Sequence, residues 1–323
     1  MTSHQDADWA PARPLELVAG TPPGGGLDRV ARALLKVIEA HGLAPRPASV
    51  VNVPGDGARR AWAFMDQYAG DGHVVSISSP NLTTDYLVGL AKFDHDRYTP
   101  IATLITEYIA FTVRSDSALR SGADLVARLS RDPAAVTVSL STALGNINHI
   151  AFAKVAKQAA GDIRAPRTNV FDTALDVVAD VVAGKSDVGV VTAASVLGEL
   201  AAGRVRLLAI SAPERLPGPF AATPTWREQS LDCVIGAWRG VTGPAGMNRG
   251  QIAYWERLIA AVTAESEWTE EVARYCWSPM CLMGAALHAH LEQENTEMER
   301  LLSELGLLRA VAARHRSGPD GRP

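Results

Sequence analysis

The fold is decided by residues 15–28, which read LELVAGTPPGGGLD. Residues 15–19 alternate between apolar and polar side chains as a β-strand does, and the glycines at 24–26 then form a loop. From Val30 onward, apolar residues recur at helical spacing. The stretch therefore predicts a strand, a glycine loop and a helix, the repeating unit of an α/β protein.

The same unit recurs along the chain. Further strands are predicted over 49–53, 73–78, 136–140, 187–191 and 205–211, and further helices over 123–129, 147–159, 173–182 and 193–202. Repeats of this kind predict an α/β fold of mostly parallel sheets flanked by helices. The rhythm restarts after Arg114, and a proline-rich turn lies at 216–224. We therefore expect two lobes.

Composition narrows the function classes. The 323 residues are 47% hydrophobic and 20% charged, which suits a globular chain with two cores. A net charge of -4 gives no basic surface for a nucleic-acid backbone, so no nucleic-acid partner is expected. Three cysteines at irregular spacing fit neither a disulfide framework nor a zinc site. We expect no metal and no cofactor.

Two targeting signals are also missing from the sequence as written. Residues 1–12 lack the basic and apolar regions of a secretory signal. No run approaches the roughly 20 apolar residues of a membrane helix. These features favour a chain that is not exported by the usual signal, which leaves the cytoplasm open as its location.

The glycine loop is the most informative local feature. Three glycines ahead of a helix expose backbone N–H groups, and the positive end of the helix favours an anion there. The loop lacks the Gly-Lys-Ser/Thr of a P-loop, and its glycine spacing differs from the dinucleotide fingerprint. Anion binding and a purely structural tight turn both remain open.

A second candidate loop covers residues 141–146, STALGN, directly after a predicted strand. Open α/β sheets bind ligands at this end of their strands. Thr142 and Asn146 could hold a carboxylate without a cation, since each neutral hydrogen bond contributes about 0.5–1.5 kcal/mol. Helix capping is the alternative. The corners at 78–81 and 169–173 occupy equivalent strand ends and have the same two interpretations.

Catalytic patterns are sparse. The sequence contains no Gly-x-Ser-x-Gly elbow for a serine nucleophile. His288 and His290 are two residues apart on a predicted helix, so they face different directions and cannot share a metal. His149 follows the second loop and is interpreted as a packed or capping histidine.

Taken together, the loops resemble the Bug family, the TctC-like substrate-binding receptors of tripartite tricarboxylate transporters. The family's opening loop, Pro-Pro-Gly-Gly-Gly-Thr-Asp, is similar to residues 22–28, PPGGGLD. Other matches follow in chain order at 31–32 (AR), 52–55 (NVPG), 71–73 (DGH), 98–102 (YTPIA), 184–188 (GKSDV), 238–240 (WRG) and 244–246 (PAG). The resemblance extends from about residue 15 to residue 307.

The resemblance implies a two-lobed periplasmic-binding-protein fold of the second type, joined by crossing strands. Lobe one would comprise 13–114 plus 236–323, and lobe two 115–235. The chain would be a solute-binding receptor that closes around a small carboxylate-bearing metabolite, without catalysis. Membrane subunits of a tripartite tricarboxylate transporter would be its partners, and the periplasm its location.

The implied ligand contacts lie on the facing rims of the two lobes. They are Gly24, Gly25, Gly26, Leu27, Asp28, Ser78, Ser79, Asn81, Thr142, Asn146, Asn169, Asp172, Thr173 and Thr192. Two departures from the family pattern matter. Leu27 replaces a threonine, and Asp172 introduces a carboxylate where the family often has a lysine. Both changes favour a ligand more apolar or more zwitterionic than citrate.

Two alternatives from other classes remain. The fold could serve a cytoplasmic enzyme with His149 or Asp172 as acid or base. It could also serve a cytoplasmic sensor whose closure is recognised by a protein partner.

Overall fold

The computed structural model describes residues 9–92, 95–160 and 162–309, which form ten strands and ten α-helices. The strands are β1 Leu15–Ala19, β2 Ala48–Asn52, β3 Val74–Ser78, β4 Thr99–Arg114, β5 Thr137–Ser141, β6 Arg167–Phe171, β7 Val188–Thr192, β8 Val205–Ile210, β9 Gly236–Gly243 and β10 Ser278–Pro279. The helices are α1 Gly26–Ala40, α2 Arg59–Met65, α3 Asn81–Leu87, α4 Gly122–Arg131, α5 Ile147–Ala160, α6 Ala174–Val182, α7 Leu197–Ala201, α8 Arg249–Ala264, α9 Ser266–Arg274 and α10 Gly284–Glu304. None of these helices combines the length and apolar character needed to cross a bilayer.

The predicted α/β units are present. The strand expected at 15–19 is β1, and those expected at 49–53 and 136–140 are β2 and β5, each displaced by one residue. The α1 helix forms because Val30, Leu34 and Val37 recur on one face, which is buried against the sheet. The α/β class is therefore confirmed.

Strand β4 joins two sheets. Its first part, from Thr99 to Tyr108, pairs with β9, and the part from Ile109 to Arg114 pairs with β7 and β8. The strand order is β2-β1-β3-β9-β4-β7-β5-β6, with β8 and β10 also on β4. Pairing is parallel within β1–β3 and within β5–β7, whereas β4 and β9 run antiparallel to their neighbours. The crossing strands thus make the sheets mixed.

Periodicity did not predict β4, although it is the longest strand described. Its sixteen residues are buried or half-buried along nearly their whole length, and only Arg114 at the end is exposed. A strand covered on both faces has no apolar-polar alternation to show.

Each sheet has its own core. Leu17, Leu34 and Trp255 belong to the first core, and Phe152 and Trp226 to the second. The C-terminal helix α10 contacts both, because its later apolar residues enter the second core while an earlier leucine contacts the first. We propose the expected boundaries, 13–114 plus 236–323 and 115–235, as the two lobes, with α10 shared; residues 310–323 lie outside the described part.

Candidate functional site

A cavity of about 370 Å³ lies between the two sheets. Its lining comes mainly from the segments that directly follow β1, β2, β3, β5, β6 and β7. These are the carboxyl ends of strands from both sheets, where α/β proteins bind ligands. The fold therefore assembles one site from loops that are far apart in sequence.

The glycine loop presents backbone donors to this cavity. Gly24 has φ +82°, and the Gly25 N–H donates to the Pro22 carbonyl at 2.9 Å. The Asp28 N–H donates to Thr21 Oγ1 at 3.1 Å. Among the described residues, no acceptor is found for the N–H groups of Gly26 and Leu27 at the first turn of α1. Both residues line the cavity, so these two groups can donate to a ligand.

Asp28 organises the loop rather than facing the cavity. Its fully buried carboxylate accepts hydrogen bonds from Gly24 N, Asn52 Nδ2 and Arg32 Nε at 2.8–3.0 Å. Burial alone would raise the pKa of Asp28, but the hydrogen bonds from Arg32, Asn52 and Gly24 outweigh it and lower the pKa. The charged carboxylate thus holds the glycine turn in shape.

The second loop is held by a network of amide side chains. Thr142 has φ +69°, a left-handed conformation uncommon for a residue with a side chain, and its N–H donates to the Phe171 carbonyl at 2.7 Å. Asn146 Nδ2 donates to the Ser141 carbonyl at 2.6 Å and to Thr142 Oγ1. Asn148 Nδ2 donates to Ser141 Oγ at 3.0 Å. Sequence analysis missed Asn148, which lines the cavity.

Three of the described helices with nine or more residues begin at the cavity. The first turns of α1, α5 and α6 all contribute to its lining. At α6, Thr173 caps the helix by accepting from Asp176 N at 3.1 Å. Each helix N-terminus favours negative charge by about 0.3–1 kcal/mol when exposed, and by more when partly buried. Their convergence makes the cavity suited to an anion.

His149 lies beneath the second loop and does not line the cavity. It is 5% exposed, and its Nδ1 accepts a hydrogen bond from the Gly145 N–H at 2.8 Å. Burial lowers the pKa of His149 to about 4. A neutral ring that accepts a backbone hydrogen bond is a structural element, as the sequence interpretation expected.

A cluster of charges that sequence analysis missed forms part of the cavity wall. Arg29 on α1 and Arg239 on β9 line the cavity, and Glu107 on β4 lies between them. Arg239 Nη2 is 2.7 Å from Glu107 Oε2, and Arg29 Nη2 is 3.9 Å from Glu107 Oε1. We call Arg29, Glu107 and Arg239 the arginine cluster. Arg239 belongs to the WRG motif at residues 238–240, but only the tertiary fold brings its side chain close to Arg29.

Most of the residues expected to contact a ligand lie around this one cavity. The expected residues in its lining are Gly25, Gly26, Leu27, Ser79, Asn81, Thr142, Asn146, Asp172, Thr173 and Thr192. They come from five separate segments of the chain.

Four expected residues do not line the cavity. Gly24 and Asp28 bond to each other within the loop. Ser78 is buried, with its Oγ 2.7 Å from Thr242 Oγ1. Asn169 Nδ2 donates to Ser186 Oγ at 3.1 Å, on the opposite side of β6 from its neighbours in the sequence.

Metal-ligand geometry occurs elsewhere in the described part of the chain. His41, Glu265 and Glu267 form one cluster of possible ligand atoms near the end of α1, and none of them lines the cavity. The ring nitrogens of His41 lie 3.5 Å from Glu265 and 3.0 Å from Glu267, which is the spacing of ordinary ion pairs. The cluster therefore has no part in the candidate site.

Comparison with known proteins finds relatives in sequence and in fold. The chain is 28% identical, over 267 residues, to the UPF0065 protein in the tcbD-tcbE intergenic region of Pseudomonas sp. (strain P51), a match that covers 81% of this chain and 76% of the relative. Two solved structures share its fold. A protein of R. palustris solved with adipate has a TM-score of 0.82 at 22% identity, covering 93% of this chain and 99% of that one. MatC of Rhodopseudomonas palustris with bound malate has a TM-score of 0.75 at 19% identity, covering 91% and 99%.

The family itself is settled by a match to most of the sequence. The profile described as the tripartite tricarboxylate transporter family receptor, TctC, matches residues 35–273. This span includes the second loop, the crossing strands and Arg239, and the resemblance found in the sequence is thereby confirmed. The chain belongs to the TctC family of tripartite tricarboxylate transporter receptors, which are solute-binding proteins and not enzymes.

Proposed function

We propose that this receptor closes its two lobes around a small carboxylate and releases it chemically unchanged. The observation that carries the proposal is the convergence of three helix N-termini on one cavity. Its donors include the N–H groups of Gly26 and Leu27, which have no acceptor among the described residues. Backbone donors and helix ends stabilise a carboxylate without a metal. The adipate and malate bound by proteins of the same fold support this ligand class.

The proposed contacts come from both lobes. Gly26 and Leu27 supply N–H groups from lobe one, together with the polar side chains of Ser79 and Asn81. Lobe two supplies Thr142, Asn146, Asp172, Thr173 and Thr192. A ligand that bonds to both sets stabilises the closed arrangement, because it interacts more strongly with that state than with an open one.

Native mass spectrometry and a thermal-shift screen test this function. Freshly purified protein is analysed for a bound acid and then screened with di- and tricarboxylates, aromatic acids and amino acids. A ligand that binds only the folded state raises the melting temperature. We expect a carboxylate to stabilise the protein and to be recovered unchanged. Recovery of a transformed product would refute the receptor function, and so would a screen in which no acid binds.

We further propose that the receptor works in the periplasm and delivers its ligand to the membrane subunits of a tripartite tricarboxylate transporter. Family membership supports this role. The test is co-purification with those membrane subunits from the source organism, with and without ligand. Ligand-dependent association with the membrane subunits supports delivery, whereas ligand-dependent association with a soluble cytoplasmic protein alone would indicate a sensor instead.

A further inference from the structure

The arginine cluster carries more positive charge than negative charge. Two guanidinium groups surround one carboxylate, which leaves a net charge of +1. The side chains of Arg29 and Arg239 are each only 11% exposed, and that of Glu107 is 1% exposed. An enclosed charge without a counter-charge is costly. The cluster therefore favours a further negative charge beside it.

Glu107 already has its own partners. Arg239 Nε donates to Glu107 Oε2 at 2.8 Å, and Trp277 Nε1 donates to Glu107 Oε1 at 3.1 Å. Arg29 approaches the carboxylate only to 3.9 Å, beyond hydrogen-bond distance. Glu107 thus neutralises Arg239 and leaves Arg29 as the surplus charge.

Arg29 has hydrogen-bonding capacity left. Its Nη1 donates to the Gly24 carbonyl at 2.9 Å and its Nη2 to Ser195 Oγ at 3.1 Å. Its Nε is enclosed and has no partner among the described residues. A buried donor without an acceptor costs about 1–3 kcal/mol, so an acceptor at this position would be strongly favoured.

The cluster lies beside the first turn of α1. A side-chain carbon built on Gly26 would lie 3.6 Å from Arg239 Nη2, 3.7 Å from Glu107 Oε2 and 3.8 Å from Arg29 Nη2. Ser195, the partner of Arg29, is 3.0 Å from Thr192 Oγ1 on the opposite lobe. Hydroxyls from lobe two therefore face the cluster as well.

The remaining charges of the lining do not supply the missing anion. Asp172 is exposed at the rim, and in the described part of the chain it forms no ion pair with either arginine of the cluster. Arg60, also in the lining, is paired with Asp56 at 3.0 Å. The surplus guanidinium of Arg29 therefore lies beside a cavity whose three helix N-termini also favour negative charge.

We propose that Arg29 and Arg239 form a second anion subsite, so that the ligand is a dicarboxylate with one carboxylate at the N-termini of α5 and α6 and the other at the arginine cluster beside the first turn of α1. Glu107 is a positioning residue that orients Arg239. The inference rests on the proposed function and adds the residues that select a second negative charge. A neutral or zwitterionic tail would leave the surplus charge of Arg29 unpaired.

Calorimetric titration of matched acids tests the subsite. The probes are straight-chain dicarboxylates of four to eight carbons, each paired with the monocarboxylate of the same carbon number. Because a hydrogen bond to a charged group contributes about 1.5–3 kcal/mol, we expect the wild-type protein to bind its best diacid about 10- to 100-fold more tightly than the matched monoacid. Arg29→Gln and Arg239→Gln should each reduce that ratio by about tenfold or more.

Two further variants keep the test decisive. Arg114→Gln removes one exposed charge far from the cavity and should retain the wild-type ratio. Arg239→Lys keeps the charge and should retain a preference for the diacid even if Arg239→Gln fails to fold, as judged by thermal denaturation. Equal binding of diacid and monoacid by the wild-type protein would overturn the subsite but leave the receptor function standing. If no acid binds any of these proteins, both proposals fail.

Discussion

The substitution Gly57→Ala tests closure of the lobes, because it adds one methyl group where the two lobes meet. Gly57 lies in the turn before α2 with φ +65° and lines the cavity. A side-chain carbon built there would be 3.2 Å from Cβ of Thr142, which follows β5 in the other lobe, and 3.4 Å from Arg59 Nη1. Gly57→Ala therefore changes the turn itself and also the contact across the cavity.

The change in the turn lowers the stability of the free protein, whereas the contact across the cavity weakens ligand binding. A left-handed conformation costs an alanine about 1–2 kcal/mol, and the loss of unfolded-state freedom offsets about 0.4–1 kcal/mol of that. The free protein should therefore lose about 0.5–1 kcal/mol of stability. In the closed state the crowded contact adds about 1–3 kcal/mol, which weakens ligand binding by about fivefold or more.

Gly203→Ala is the matched control. Gly203 has a similar φ, +68°, but a side-chain carbon there has nothing within 4 Å, and the residue does not line the cavity. Urea denaturation of the two variants without ligand should give the same small loss of stability. Calorimetry with the acid identified in the screen should show weaker binding for Gly57→Ala alone. Equal affinity of both variants would refute the idea that these two segments meet in the ligand-bound state.

Three other predictions each concern a single side chain. Burial raises the pKa of Asp85 to about 6 despite the neighbouring Arg59. Between about pH 4 and pH 6 the folded protein therefore keeps a proton that the unfolded chain releases. The free energy of unfolding falls as the pH rises through this range. Asp85→Asn should flatten that part of the stability curve measured in urea, and an unchanged slope would contradict it. Burial lowers the pKa of His149 to about 4. As the pH drops, the unfolded chain therefore binds a proton near pH 6.5, before the folded protein does. The free energy of unfolding falls between about pH 6.5 and pH 4. An NMR titration should find this ring neutral from pH 6 to 8; a midpoint near 6.5 would disprove that. Thr142→Ala should weaken binding of the acid by about 2- to 10-fold, because one neutral hydrogen bond contributes about 0.5–1.5 kcal/mol. Thr142→Ser keeps the hydroxyl and should keep the affinity. Unchanged affinity in both variants would remove this hydroxyl from the site.

Local patterns in the sequence were enough to predict the repeating units and to single out two loops that line the cavity. The alternation in β1, the glycine loop and the helical spacing of α1 all depend on neighbours within a few residues, and such patterns remain readable in the chain. The second loop at 141–146 was identified for the same reason, since hydroxyl and amide residues follow a strand there. The family resemblance rested on these same short motifs in order.

Tertiary structure alone decided which polar residues face one another. Strand β4 is covered on both faces, so its sequence shows no alternation, yet it carries Glu107 into the cavity wall. Arg29, Glu107 and Arg239 are far apart in the chain and come together only because β9 pairs with β4 beside the start of α1. The orientation of Asn169 away from the cavity depends on the pairing of β6 with β5. Short-range periodicity records which face of an element is buried, whereas the charge of a site depends on contacts between elements, which only the folded chain defines.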